Sequence, residues 1–342
     1  MKKFVALLLM ACMLLSVSAV AEGEYKLGMG VSVSTASTKE GHAQVDATVA
    51  TVVTDADGKI VMCRLDCAQN KMDVEDGEVD TAAQYETKRE LRERYNMVAY
   101  SDAKYEWFEQ AEAFEAYVVG KTADEVKNME TRQNDHGYTV TADETLYATC
   151  SIDITAFVDA VVKACNDEKG QTFTAADGFK LGLAAISTSA ESTSATDDED
   201  AVVKMYTEFG ATVVGADDKI VAAITDAIQP QIKMDEDGEV TEIIYKGTKR
   251  ELGPDYGMVA YGSAIAEWDA QAQAFADYTV GKTAAEVTAI DTKKNDHGYD
   301  VTVDDTLYAS CTMQITGAMC WLWPLPTPAK EKFSHEKGIK MV

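Results

Sequence analysis

Residues 43–65 read AQVDATVATVVTDADGKIVMCRL, two strand-like runs separated by a turn. The run from Ala43 to Thr54 alternates small or apolar residues with polar ones and is rich in valine and threonine, which is typical of a strand. Asp55-Ala56-Asp57-Gly58 supplies turn residues, and the strand pattern resumes from Ile60 to Leu65. The stretch therefore predicts an antiparallel β-hairpin.

Helical signals follow the hairpin. Apolar residues fall on one helical face between 107 and 118, and Gly120 is suited to end that helix. Thr122 with Glu125 is a capping box for another helix, and a strand-like run over residues 145–154 leads into a last helix. The apolar faces of the first and last helices carry Trp107, Ala111, Phe114, Val118, Phe157, Val161 and Cys165. This order predicts an α+β fold in which helices pack on an antiparallel sheet.

The sequence also repeats itself at a shift of about 160 residues. KREL at 88–91 returns at 249–252, MVAY at 97–100 returns at 258–261, and NDHGY at 134–138 returns at 295–299. Such similarity indicates a duplication, and 342 residues fit two domains, each with a core of its own. We therefore predict two tandem copies of one small α+β domain, copy 1 at 22–165 and copy 2 at 180–317, joined by a connector at 166–179.

The end of the chain departs from the repeat. Three of the five prolines and two of the four tryptophans lie between Trp321 and Pro328, where copy 1 has an apolar helix pattern. Proline removes a backbone donor and breaks a helix. Residues 318–342 are therefore predicted to be a divergent tail, and copy 2 is expected to lack its final helix.

The N-terminus has the layout of a secretory signal. Lys2 and Lys3 precede an apolar run from Phe4 to Leu15, and small residues end at Ala21. This predicts a signal peptide at 1–21 and a secreted or cell-envelope protein that is not an integral membrane protein after cleavage. The alternative is a lipoprotein signal, since Leu9-Met10-Ala11-Cys12 would allow cleavage before Cys12.

The charge of the chain restricts its partners. A net charge of −27 repels phosphate, so neither nucleic acid nor an anionic lipid surface is expected as a partner. The sequence has no P-loop, no G-x-G-x-x-G, no G-x-S-x-G and no H-E-x-x-H motif. A hydrolase would need a nucleophile and base constellation that the sequence does not mark. An electron-transfer or binding protein is therefore favoured over a catalyst.

Three residue classes have a structural explanation beside a functional one. Six cysteines would remain after cleavage, but only Cys150 and Cys311 match between the copies, so we interpret most of them as small buried side chains. His136 and His297 each lie in Asn-Asp-His-Gly, which is turn chemistry. Aromatic residues of copy 1 fit either a pocket wall or core packing; they are Tyr85, Tyr95, Tyr100, Tyr138, Tyr147 and Trp107.

The segment from Asp143 to Ser151 and the helix after it carry a family resemblance. They resemble the FMN-binding domain family, which includes cell-envelope electron-transfer subunits. The family pattern is Asp, two variable residues, Ser or Thr, Gly, Ala, Thr, followed by a helix. In that family the last Thr carries FMN through a phosphoester made by a flavin transferase. The hairpin at 43–65 also looks like the family's opening strands, so the resemblance covers much of each copy.

The pattern is met in part. Asp143, Ala148 and Thr149 match it, whereas Leu146 and Tyr147 stand at the hydroxyl and glycine positions. A glycine there would let the backbone approach a phosphate, and a tyrosine does not. A plain junction between a strand and a helix explains Thr149 equally well. In copy 2 the matching residues are Asp304 and Ala309, with Ser310 at the acceptor position.

The resemblance implies an exported FMN-binding-like protein that carries electrons at the cell envelope. Its cofactor would be FMN, and its partners would be a flavin transferase and envelope electron-transfer proteins. In such a domain the chemistry belongs to the cofactor, and the protein supplies position and electrostatics. The alternative is a non-enzymatic surface binding module that retains the fold without flavin.

Overall fold

The computed structural model describes residues 23–101, 103–175 and 178–316. The predicted signal peptide at 1–21, including Cys12, and the divergent tail at 318–342 lie outside the described residues. We call residues 23–165 the first half and residues 178–316 the second half. No helix in the described ranges is long and apolar enough to cross a membrane.

The first half is built on a four-stranded antiparallel sheet in the order β3-β2-β1-β6. Strand β1 spans Gly23–Ser34, β2 His42–Thr54, β3 Ile60–Asp73 and β6 Gln171–Ala175. The predicted hairpin is confirmed, because β2 and β3 pair along their length with Val52 opposite Cys63. The connector contains β6, which pairs with β1. Residues 171–175 therefore form part of the first sheet, since their backbone groups complete its edge.

Helices cover the outer face of this sheet. They are α1 (Lys88–Leu91), α2 (Met97–Tyr100), α3 (Trp107–Val118), α4 (Ala123–Lys127), α5 (Glu144–Tyr147) and α6 (Thr155–Cys165), with a small hairpin of β4 (Thr131–Gln133) and β5 (Thr139–Thr141). The four predicted apolar residues of α3 are all buried, as are Phe157 and Val161 of α6. The capping box of Thr122 and Glu125 starts α4 as predicted. The fold is therefore α+β.

The predicted strand over residues 145–154 is wrong. Its first residues form the short helix α5, because the carboxylate of Asp143 accepts the backbone N–H groups of Thr145 and Leu146. This N-cap satisfies two donors that a helix start otherwise leaves without partners. The local cap therefore prevails over the strand propensity of threonine and tyrosine.

The second half also runs from strands through helices to a small hairpin, but it has more strands and its sheet is divided. Its strands are β7 (Phe179–Thr188), β8 (Ala201–Lys204), β9 (Tyr206–Gly215), β10 (Ile220–Ile228), β11 (Gln231–Met234) and β12 (Val240–Ile244). They form two sheets, β10-β9-β7 and β12-β11-β8. Pro230 lies between β10 and β11, where β3 of the first half runs on without interruption. Proline has no N–H to donate, which explains the break.

Short helices and one more hairpin complete the second half. They are α7 (Lys249–Leu252), α8 (Met258–Gly262), α9 (Trp268–Thr279), α10 (Ala284–Thr288), β13 (Thr292–Lys294), β14 (Asp300–Thr302) and α11 (Asp305–Tyr308). Thr248 with Glu251 and Thr283 with Glu286 form capping boxes. Copies of KREL and of the Thr-x-x-Glu motif thus adopt the same local structure in both halves.

The two halves share one apolar core. Its buried residues include Leu27 and Val49 of the first half and Leu181, Phe209 and Ile224 of the second. A separate core lies between the outer face of β2 and β3 and the helices α3 and α6. The second half has a separate core too, which includes Phe275 of α9 with Ile220 and Leu307. Each half therefore has a core of its own, and the shared core comes in addition: both faces of the first sheet are buried, one under its own helices and one against the second half.

The described cysteines have no disulfide partner. Cys63, Cys67, Cys150 and Cys311 are buried, and Cys165 is partly buried. Burial raises the pKa of the Cys150 thiol to about 12 and that of Cys311 to about 11. These thiols are therefore protonated and inert at neutral pH, as expected of small buried side chains.

Candidate functional site

The segment predicted to hold FMN forms one exposed helical turn. Asp143 precedes α5, and its Oδ1 atom accepts the N–H groups of Thr145 at 2.8 Å and Leu146 at 3.2 Å. These backbone hydrogen bonds lower the pKa of the Asp143 carboxyl. Asp143 therefore has a complete structural role as a helix cap.

The acceptor residue itself lies on the surface. Ala148 and Thr149 are exposed, and the Thr149 hydroxyl donates to the carbonyl oxygen of Leu146 at 3.1 Å. The ring of Tyr147 is partly buried and lies 4.4 Å from the guanidinium of Arg132. The structure thus brings Asp143, Tyr147, Ala148 and Thr149 together on one turn, which places Thr149 after a short helix and not at a junction between a strand and a helix.

The backbone around Thr149 offers a phosphate no free donor. Every N–H group from Thr145 to Ser151 donates within the protein. Tyr147 and Ala148 donate to carbonyls of the preceding turn, Thr149 and Cys150 to that of Leu146, and Ser151 to the Gln110 side chain. A tightly held phosphate needs backbone donors or unpaired cations, and Arg132 is already paired with Glu144 at 2.5 Å. The residues at this turn therefore do not fit an FMN phosphate.

The second predicted site has the same geometry. Asp304 accepts the N–H groups of Thr306 and Leu307, and the Ser310 hydroxyl donates to the carbonyl of Leu307 at 3.2 Å. Ala309 and Ser310 are exposed. The Tyr278 hydroxyl donates to Asp304 at 2.8 Å and, with the backbone bonds, lowers the pKa of that carboxyl. This turn is therefore also a capped helix start.

Two open clefts lie where the connector meets the second half. One encloses about 310 Å³ between β6 and β10, with Phe173 and Val221 on opposite sides. The other encloses about 390 Å³ beside Arg250 and Lys169. The cations of the second cleft are already paired, Arg250 with Asp167 and Lys169 with Asp269. None of the seven predicted cofactor residues lines either cleft.

The six aromatic residues that the sequence left as either a pocket wall or core packing do not share one environment. Trp107 is buried and Tyr85, Tyr95 and Tyr147 are partly buried, whereas Tyr138 is exposed and Tyr100 retains 86% of its accessible surface. Its counterpart Tyr261 retains 93%. The neighbouring valines, Val98 and Val259, are 44% and 47% exposed. We call residues 95–101 the first tyrosine loop and residues 256–262 the second tyrosine loop.

The same interactions hold both loops. Glu106 accepts the N–H groups of Met97 at 2.8 Å and Val98 at 3.2 Å. Glu267 accepts those of Met258 and Val259 at the same two distances. At the base of each loop a tyrosine hydroxyl donates to a glutamine side chain: Tyr95 to Gln69 of β3 at 3.3 Å, and Tyr256 to Gln229, which directly follows β10, at 3.2 Å. Each loop is therefore fixed to the domain while its tip remains in solvent.

Each loop turns at one left-handed residue. Asn96 has φ of 63° and Gly257 has φ of 81°. These residue types adopt that conformation at little cost. A Cβ atom on Gly257 would stand 2.7 Å from Cδ2 of the Tyr261 ring. Glycine therefore leaves room for the ring to lie against the backbone at this position.

A lysine lies beneath each loop; Lys249 of the second half is buried and Lys88 of the first half is partly buried. The Lys249 ammonium is 4.6 Å from the ring of Tyr206, 4.7 Å from that of Tyr256 and 5.3 Å from that of Trp268. Burial lowers the pKa of Lys249 to about 8, although Glu208, Glu191 and Asp226 act in the opposite direction. Its counterpart Lys88 faces only two rings, those of Tyr95 and Trp107, because Asp46 occupies the place of Tyr206.

The histidines that the sequence assigned to turns are confirmed there. The Asn134 side chain accepts the N–H groups of His136 and Tyr138, and Gly137 has φ of 80°. Asn295 holds His297 and Tyr299 in the same way. Within the ranges that the structure describes, no cluster of three His, Cys, Asp or Glu side chains could hold a metal ion.

Sequence reasoning noted both MVAY motifs but missed their exposure. All four residues of the motif are apolar or aromatic, so the sequence alone favours their burial. The signal that was present is the following Ser101 and Gly262, which suit a turn more than a core element.

No protein-family model, no curated protein and no solved structure matches this chain. Its function therefore has to be inferred from its own residues.

Proposed function

We propose that the protein is a non-enzymatic binding module that acts outside the cytoplasm and makes contact through its two tyrosine loops. The observation that carries the proposal is the identity of Met-Val-Ala-Tyr in both halves at positions where Val and Tyr point into solvent. Side chains so exposed add little to the free energy of folding. Core packing therefore does not use these side chains, whereas contact with a partner would, and Tyr100 and Tyr261 are more exposed than the repeated tyrosines Tyr138 and Tyr299.

The extracytoplasmic location belongs to the same proposal. It is supported by the signal-like pattern of residues 1–21. Tyrosine is among the residues most often responsible for binding energy, because it offers a large rigid surface with a polar end. The two loops are thus suited to contact and carry no catalytic group.

The rival function is that of a flavin carrier with FMN on Thr149. It is supported by the resemblance to FMN-binding domains and by the exposure of Thr149, which a transferase would need. The absence of a free backbone donor from Thr145 to Ser151 argues against it. We test it by intact mass and flavin absorbance of protein coexpressed with a flavin transferase. An adduct that is lost in Thr149→Ala and kept in Ser310→Ala would establish the carrier.

The binding module is tested with defined surfaces. Wild-type protein is applied to an immobilised neutral polysaccharide, an immobilised cationic polysaccharide and immobilised gelatin. We expect retention on at least one surface, and we expect the variant with Tyr100→Ala and Tyr261→Ala to lose it. The matched control carries Tyr138→Ala and Tyr299→Ala, which remove exposed rings from other turns. Absence of any retention that depends on the loops would refute the proposal.

A further inference from the structure

We propose that the two tyrosine loops bind neutral β-linked polysaccharides, with one sugar ring stacked on Tyr100 and another on Tyr261. This inference rests on the proposed function and names the class of ligand. It is argued from the charge, shape, rigidity and number of the loops.

The charges that flank the two loops differ. The first loop is bordered by Arg92, Arg94 and Lys104, and the matching positions of the second are Gly253, Asp255 and Ile265. What the loops share is uncharged, namely Met, Val, Ala and Tyr. A ligand that occupies both loops is therefore recognised by its uncharged groups. The net charge of −27 opposes an anionic polymer as well.

The shape of the contact suits a flat ring. Tyr100 and Tyr261 are almost fully exposed, and each follows a half-exposed valine two positions earlier in the chain. An extended peptide is normally held by a groove or by the free edge of a sheet. The two clefts at the connector are lined by other residues. The C–H face of a β-linked pyranose is flat and weakly positive, so it is attracted to the negative face of an aromatic ring, while the tyrosine hydroxyl reaches the sugar hydroxyls.

The loops are preorganised for such a contact. Glu106 and Glu267 each hold two backbone N–H groups, and the hydroxyls of Tyr95 and Tyr256 bond to Gln69 and Gln229 at the bases. A loop that is already ordered loses less conformational entropy on binding. A single stacked ring nevertheless gives weak affinity because the contact area is small.

Two loops on one chain increase that affinity for a polymer. Once one loop is bound, a long polymer presents further units to the second loop at high effective concentration. A repeating ligand therefore gains from the duplication of MVAY, whereas a single sugar does not. The structure thus predicts tight binding of polymers and weak binding of the same sugar as a short oligosaccharide.

The test is affinity electrophoresis of the full mature chain in native gels. The probes are hydroxyethylcellulose and galactomannan as neutral β-linked polymers, glycol chitosan as a cationic polymer and alginate as an anionic one. We expect retardation in at least one neutral gel. Tyr100→Ala and Tyr261→Ala should each weaken binding by about a hundredfold, the low end of the range known for avidity, and the double variant should not be retarded. The control with Tyr138→Ala and Tyr299→Ala should be retarded like wild type, and thermal melting confirms that all variants are folded.

The outcomes separate the ligand class from the function. If neither neutral polymer changes the migration of the protein, the assignment to neutral polysaccharides is wrong. If glycol chitosan alone retards the protein, and does so through the loops, that assignment is also wrong, but the proposal that the protein is a binding module stands. Equal retardation of wild type and double variant by a neutral polymer overturns the assignment to these loops. If cellotetraose competes for the protein as strongly as the polymer at equal concentration of sugar units, the claim that two loops bind one polymer together is wrong.

Discussion

Arg89 and Arg250 occupy the same position in the repeated KREL motif, yet they hold different parts of the molecule together. Arg89 pairs with Glu115 of α3, which also accepts from Arg64, so this cluster lies within the first half. In the second half Ile224 and Ala276 stand where Arg64 and Glu115 would be. Arg250 instead pairs with Asp167 of the connector at 2.9 Å.

The Asp167 carboxylate links three segments. It accepts from both terminal nitrogens of Arg250 and from the backbone N–H of Met29 in β1, and Arg250 also donates to the carbonyl of Lys169. Both side chains are about nine-tenths buried. The first half therefore stabilises its own arginine, whereas the second half depends on the first half and the connector. The two halves have similar sequences, but they differ in how far each depends on the other for its stability.

The largest expected effect follows from separating the halves. Residues 22–170 made alone would expose the face of the first sheet that packs on the second half and would also lose β6. Each large apolar side chain so exposed costs about 1.5–3 kcal/mol, against a typical total of about 5–15 kcal/mol. We expect no cooperative unfolding transition for this fragment by circular dichroism. A sharp transition near that of the full chain would show that the shared core is dispensable.

The next effect comes from breaking the buried pair. Asp167→Ala leaves Arg250 buried without a carboxylate, and we expect a loss of about 3–5 kcal/mol in the free energy of unfolding. The matched control is Asp159→Ala, which removes an exposed partner of Lys163 and should cost less than about 0.5 kcal/mol. Urea titrations measure both. Equal midpoints for the two variants would contradict the dependence of the second half on the connector.

The lysines beneath the two loops, Lys88 and Lys249, should contribute differently to the pH dependence of stability. The folded pKa of Lys249 is lowered to about 8, while that of an unfolded lysine is about 10.4. Between these values the unfolded chain binds more protons, so stability rises with pH in this window, by up to about 1.4 kcal/mol per pH unit. For Lys88 burial also opposes the charge, but Cys67, Tyr95 and Asp46 raise its pKa.

Replacing each lysine with methionine isolates these contributions. Lys249→Met should remove the rise in stability above pH 8 relative to wild type. Lys88→Met should leave that rise in place, because the raised pKa of Lys88 puts its own titration above the window. Urea midpoints at a series of pH values compare the three proteins. A rise that persists in Lys249→Met would contradict the lowered pKa.

Local spacing made much of each half predictable. The hairpin, the buried face of α3 and the capping boxes depend on residues a few positions apart, and the sequence displays them directly. Strand β6 was missed because Gln171-Thr172-Phe173-Thr174-Ala175 is short and polar, and its partner β1 is distant in the chain. Pairing between distant segments leaves no periodic signal within either one.

The candidate site was less predictable than the fold. The family pattern directed attention to Thr149. Whether the backbone N–H groups near Thr149 are free to bind a phosphate depends on hydrogen bonds that cannot be read from the sequence. Tyr100 and Trp107 are both aromatic, yet the first is exposed and the second buried. Their separation depends on Glu106, which starts α3 and at the same time fixes the tyrosine loop above it.

The smallest predicted effect concerns these two glutamates and refines the comparison of the halves. Glu106 is buried and Glu267 is partly exposed, although both accept the same pair of N–H groups. Replacing the carboxylate with an amide removes one charge-assisted acceptor, which costs about 1–2 kcal/mol when water cannot replace it. We expect Glu106→Gln to cost about 1–2 kcal/mol and Glu267→Gln about half as much, since solvent reaches the second loop. Amide hydrogen exchange at Met97 and Met258 reports each loop separately. Faster exchange at Met258 than at Met97 in the matched variants would mean that burial of the carboxylate does not decide how firmly a loop is held.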